Sequence, residues 1–157
     1  MATLSEVYMK FGEVSEAAQL LETELGTMLL THECLDANLT QNPDPEKASE
    51  IVDKVNKQTL GRLITTLNKQ GRAPRIPSAL LEKALDARNF LSHSFYRYHN
   101  LRRNSQEGCD IMLNDLLRIH DDILQAYSAL MLASGVDLNA HDTGSDSGEF
   151  PAAWMKL

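Results

Sequence analysis

Apolar residues recur at intervals of three and four along most of the chain, the spacing of one buried helical face. From Leu4 to about Cys34 the series Leu4, Val7, Tyr8, Phe11, Val14, Ala18, Leu21, Leu25, Met28 and Leu29 predicts one long amphipathic helix, with His32 on the same stripe. Thr3 followed by Glu6 has the pattern of a capping box, in which each side chain satisfies a backbone N–H of the other. Asn42-Pro43-Asp44-Pro45 reads as a loop whose Asp44 caps a second helix and whose Pro45 takes its first position. That helix is expected to run to about Lys69 on Ile51, Val52, Val55, Leu60, Leu63, Ile64 and Leu67, with Gly71 stopping it. A connector over 71–77 leads to a third helix that opens at Pro77 and Ser78, continues through at least His93 and frays near 98–100. Asn104 and Ser105 provide the cap of a fourth, which carries Ile111, Met112, Leu116, Ile119, Ile123, Tyr127 and Leu130 as far as Gly135. The pattern predicts an all-α fold, an up-and-down four-helix bundle over residues 1–135, with a mobile tail over 136–157.

Composition sharpens this picture. A chain of 157 residues, 43% hydrophobic and 24% charged, suits one domain with its own core. Aromatics at 6% and the absence of long Val/Thr/Tyr alternations leave little from which to build a β-sandwich. Met1 to Lys10 carries no basic stretch followed by an apolar one, and no apolar run approaches a membrane span, so a cytoplasmic chain is expected. Cys34 and Cys109 lack any paired spacing and read as reduced thiols. The net charge of −7 argues against a generic nucleic-acid coat. Its distribution is uneven, however: residues 69–103 hold eight basic side chains and two acidic ones, a local +6, which leaves −13 on the remainder. Such a segment either receives an anion or neutralises acidic helices of the same fold.

Most site chemistries are missing from the sequence. There is no paired Glu-x-x-His, no HExxH and no Cys/His spacing for zinc, and no phosphate loop, dinucleotide fingerprint or nucleophile elbow. Neither a metal nor a cofactor is therefore expected. What stands out is the segment from Ala87 to Arg97, where polar groups and aromatics interleave near the end of the third helix. At 100° per residue Leu80, Leu81, Ala84, Leu85, Leu91 and Phe95 share a core-facing arc, and Arg88 falls inside it. A guanidinium there must either meet a carboxylate, for example a Glu of the first helix, or open into a cleft that admits a phosphate. Asn89, His93, Tyr96 and Arg97 form a second, polar arc. Phe90 is expected on the side away from the core, where an exposed ring would mark a contact with another chain. Each of these has a plain structural alternative: Asn89 as a surface residue, His93 as a solvated imidazole, Tyr96 as packing, and Arg97, Arg102 and Arg103 as cations that complement a helix C-terminus.

The run from Arg88-Asn89 to His93 resembles the R-x4-H motif of the HEPN superfamily, and the likeness extends over roughly residues 4–135 through the long first helix and the apolar second. The resemblance implies an α-helical homodimer and, for many members, a metal-independent endoribonuclease of toxin–antitoxin or phage-defence type, regulated by an antitoxin or another protein. It implies catalytic roles for Arg88, His93 and Asn89, with His93 as proton acceptor or donor and Arg88 as phosphate clamp. Tyr96, Arg97, Arg102 and Arg103 are then the candidate RNA-binding residues, and Phe90 the candidate dimer contact. Arg88 and His93 lie about 140° apart on one helix, so a composite site built from two copies fits the motif better than one chain does. Other members of the superfamily are noncatalytic modules that bind a partner protein or nucleotide, and the motif is compatible with that class too. One departure stands out: where some HEPN toxins carry a modifiable Tyr two residues after the His, this chain has Phe95.

Overall fold

The computed structural model describes residues 1–138, and within them every regular element is helical. In chain order these are α1 (Leu4–Asp36), α2 (Pro45–Asn56), α3 (Leu60–Lys69), α4 (Ser78–His93), the single turn α5 (Phe95–Tyr98), a 3-10 turn (Arg102–Asn104) and α6 (Gln106–Ala133). The predicted start signals act as expected. Thr3 and Glu6 form the reciprocal capping box of α1, Asp44 accepts from the Lys47 N–H at the start of α2, and Ser105 accepts from the Gly108 N–H at the start of α6. Gly71 and Gly135 adopt positive φ just beyond α3 and α6, the left-handed conformation that ends a helix at little cost for glycine.

The predicted second helix is two helices. Val55 and Leu60 are five residues apart, so a continuous helix would rotate them about 140° away from each other. Breaking the chain at 57–59 instead buries both, at 4% and 0% exposure. The break also reverses the chain. Lys54 lies against Glu33, whereas Leu60 meets Glu22 and Arg72 meets Asp36, so α2 runs back along α1 and α3 runs forward again. This extra reversal changes the bundle. An up-and-down arrangement of four helices sets its first and last antiparallel, but here α1 and α6 run parallel: Lys10 and Glu13 face His120 near the middle of α6, and Met28 and His32 lie beside Leu130 and Ala133 at its end. Helix α4 runs opposite to both, with Arg88 against Glu22 and Lys83 against Asp122.

The core is one cluster, built from Leu21, Leu25 and Leu29 of α1, Leu60 and Leu67 of α3, Leu91 of α4, Phe95, and Met112, Leu116, Ile123 and Leu130 of α6. No helix among the described residues is long and apolar enough to cross a membrane. Cys34 is half-buried and Cys109 buried, and neither forms a disulfide. Residues 139–157, which include most of the predicted tail, lie outside the described residues.

Candidate functional site

Arg88 projects from the third turn of α4 into a groove against α1. Its Nη2 lies 2.9 Å from Oε1 of Glu22, and Nη1 donates to Oδ1 of Asn89 at 3.2 Å. The Glu22 carboxylate does two things at once, because the same Oε1 accepts the Leu60 N–H at 2.9 Å. The side chain of Thr59, which precedes α3, makes no capping bond, and the carboxylate of α1 accepts the first N–H of α3, one of the four that helix geometry leaves without a partner inside the helix. Glu22 thus ties α1, α3 and α4 together at one point. Of the two readings open for Arg88, the carboxylate partner on the first helix is present.

The groove holds about 340 Å³, with Phe11, Ser15, Gln19, Glu22, Arg88 and Ser92 among its walls. A second hollow of about 420 Å³ shares Gln19 and Glu22 with it and continues between α1, α2 and α3 past Thr23, Thr27 and Gln58. Asn89 is exposed beside this groove, and His93 is exposed as the last residue of α4. The helix stays regular through His93 and breaks only at Ser94, so Arg88 and His93 keep the angular separation of an ideal helix. Among the described residues no hydrogen bond or ion pair joins them.

The predicted RNA-binding residues divide between two faces. Tyr96 lies on the α1 side, 4.9 Å from Phe11 and 6.3 Å from Tyr8 between ring centroids, and burial raises its phenol above the usual tyrosine value. It therefore shares a neighbour, Phe11, with the Arg88 groove. Arg102 lies on the α6 side instead, where its guanidinium carbon sits 5.0 Å from the Tyr98 ring centroid. Arg97 and Arg103 are exposed and carry no ion pair among the described residues.

Phe90 corrects an expectation. It is half-buried rather than exposed, because the chain turns after His93 and brings Phe95 and Tyr98 edge-on to its ring at 6.2 and 5.6 Å. A straight helical projection cannot anticipate a turn that folds back over the helix it follows.

Glu22, foreseen only as some Glu of the first helix, and His99 and Asp115, which the sequence did not single out, hold the site region together. His99 is 1% exposed, packed at 4.5 Å against Phe95 and 5.0 Å against Tyr98. Its Nδ1 faces Nη1 of Arg102 at 3.1 Å, and since a guanidinium only donates, Nδ1 must accept and the ring proton sits on Nε2. Nε2 lies 3.2 Å from Oδ2 of Asp115 but outside hydrogen-bond alignment, a buried polar atom without an aligned partner. Burial lowers the His99 pKa, the Arg102 charge lowers it further, and Asp115 opposes both. A signal for His99 did exist: Leu91, Phe95 and His99 continue one apolar series at steps of four.

Comparison with family models, curated proteins and solved structures finds no match to this chain. Among the described residues no three His, Cys, Asp or Glu side chains converge in a way that could hold a metal ion.

Proposed function

We propose that this chain is a HEPN-like, metal-independent endoribonuclease of toxin–antitoxin or phage-defence type, acting in the cytoplasm as a homodimer whose composite site uses Arg88, Asn89 and His93. One observation carries the reading: a half-buried guanidinium paired with Asn89 sits in a groove, and an exposed imidazole ends the same helix. In metal-free RNA cleavage the 2′-hydroxyl oxygen attacks phosphorus, a base takes its proton, and the bond to the 5′-oxygen breaks as that oxygen is protonated. His93 of one copy serves as the base. Arg88 holds the scissile phosphate and offsets the charge that builds on its oxygens, and Asn89 orients the guanidinium or the substrate. Two copies are needed because α4 is regular between Arg88 and His93 and holds them on different sides of the helix. An antitoxin or other regulatory protein would act by covering this face.

A second reading is favoured by a specific contact. Glu22 already neutralises Arg88, so a phosphate must displace a carboxylate to reach it, which suits a noncatalytic dimeric module that binds a partner protein or nucleotide. Purified chain incubated with RNA in excess EDTA separates the two. The ribonuclease reading expects cleavage to 2′,3′-cyclic phosphate ends, an inert all-DNA strand, and a loss of about a hundredfold or more in His93→Ala. No cleavage by a dimeric parent would leave the binding module as the better account, and cleavage untouched by His93→Ala would overturn the role given to His93.

A further inference from the structure

A second cleft, on the α6 side of the α4–α5 corner, is separate from the Arg88 groove. It holds about 450 Å³ and is lined by Phe90, Tyr98, Arg102, Ile111, Asp115 and Arg118. That volume falls within the range of small-molecule sites. Its walls combine two chemistries. Tyr98 is 61% exposed although Phe90, His99 and the Arg102 guanidinium all pack against it, so its phenol is held in place while much of its surface stays open. Ile111, 38% exposed, adds an apolar wall. Arg118, on the same helix face as Ile111, also lines the cleft; its side chain is 71% exposed and donates a single hydrogen bond, to Oδ1 of Asp115 at 2.9 Å. With two guanidinium groups against one carboxylate the cleft carries a local positive charge on a chain whose net charge is −7. N–H donors also outnumber acceptors there, since each guanidinium has five and the contacts described use one apiece.

We propose that this cleft is a nucleotide subsite, in which a planar base stacks on the Tyr98–Arg102 pair and the attached phosphate is held by Arg118. The proposal deepens the RNA-directed reading above and rests on it for the choice of a strand over other planar anions. Stacking on an aromatic or guanidinium face tolerates any base, and a guanidinium fork matches phosphate oxygens in pairs. Arg97 and Arg103, next in sequence to Tyr98 and Arg102, are exposed and without ion pairs among the described residues, and they add to the positive charge of this segment. Asp115 offers its two oxygens to different partners, Oδ1 to Arg118 at 2.9 Å and Oδ2 to Nε2 of His99 at 3.2 Å, so the floor of the cleft is tied to the buried imidazole. His99 stays buried throughout and positions Asp115 and Arg102 without touching the ligand.

The test is a binding measurement that cleavage cannot confuse. A fluorescein-labelled RNA octamer with 2′-O-methyl riboses offers base, phosphate and sugar but no attacking hydroxyl, and its anisotropy is read in EDTA against full-length protein. Tyr98→Ala is expected to weaken binding at least about fivefold, the lower bound for loss of one stacked base. Arg118→Gln is expected to reduce the slope of log affinity against log salt by about one. Both side chains are largely exposed, so neither variant should unfold, and unchanged circular dichroism verifies it. Adenosine monophosphate serves as competitor: displacement of the octamer supports a site that accepts a free nucleotide, and failure to displace it supports one that needs the strand. Absence of octamer binding, or parental affinity and salt slope in both variants, overturns the proposal. If the octamer binds through Tyr98 and Arg118 but unmodified RNA is not cut, the subsite stands and the ribonuclease reading alone falls.

Discussion

The contact of Glu22 with Arg88 and Leu60 can be taken apart by substitution, and the expected energies differ enough to be resolved. Glu22→Gln keeps an oxygen that can accept the Leu60 N–H but removes the charge, Glu22→Ala removes both, and Arg88→Met removes the cation while keeping the aliphatic stem. The two side chains are 19% and 24% exposed, so their ion pair lies between a surface pair worth at most about 1 kcal/mol and a buried one whose disruption costs about 3–5. About 2 kcal/mol is a fair value for leaving Arg88 unpaired. The lost cap at Leu60 adds about 1 kcal/mol. Glu22→Ala should therefore cost about 3 kcal/mol, a fall of roughly 6–12 °C in Tm for a chain of this size. The double-mutant cycle of Glu22→Gln with Arg88→Met should show a coupling of about 1–2 kcal/mol in urea unfolding followed by circular dichroism. A coupling below about 0.3 kcal/mol would refute the claim that the pair ties α1 to α4. Glu22→Gln carries a second readout: it frees Arg88, so under the ribonuclease reading it should bind uncleavable RNA more tightly even as the protein loses stability.

Two further predictions concern stability. Gly108→Ala should destabilise by about 2–3 kcal/mol, because a Cβ there would overlap the Arg102 carbonyl, which belongs to backbone rather than to a side chain that can step aside. Since alanine is the better helix former by about 1 kcal/mol, a rise in Tm would show that the 3-10 turn yields freely. The other concerns pH: His99 and His120 both have pKa values lowered chiefly by burial, so the unfolded chain binds protons that the folded one refuses, and stability should fall as pH drops below the ordinary imidazole value of about 6.5. Arg102 adds to the lowering at His99 while Asp115 resists it, and at His120 Lys10 adds while Glu13 and Asp121 resist. The carboxylates of Glu6, Glu13 and Asp36, held below their ordinary values by hydrogen bonds, lose their contribution only at more acidic pH. His99→Gln should flatten the urea-measured stability between pH 7.5 and 5.5 without abolishing the slope, since His120 remains, and an unchanged slope would remove His99 as a cause.

The helical class, the ends of α1 and α6, and the caps at Thr3, Asp44 and Ser105 were all legible in the sequence. Each depends on residues within a turn or two of one another, through apolar spacing, a side chain that reaches a nearby N–H, or a glycine that tolerates positive φ. The motif from Arg88 to His93 was legible for the same reason, as was the conflict posed by an arginine inside an apolar arc. What tertiary structure decided was how these local pieces meet. The break at 57–59 follows from burying Val55 and Leu60 on one surface, and it is sealed by Glu22, which lies 38 residues before Leu60 in the chain. That single reversal makes α1 and α6 parallel. The turn after His93 covers Phe90, separates Tyr96 from Arg102, and buries His99 against Asp115. Periodicity reports which face of a helix is buried but not what it is buried against, and the partners of a charged or titratable side chain are set by elements that only folding brings together.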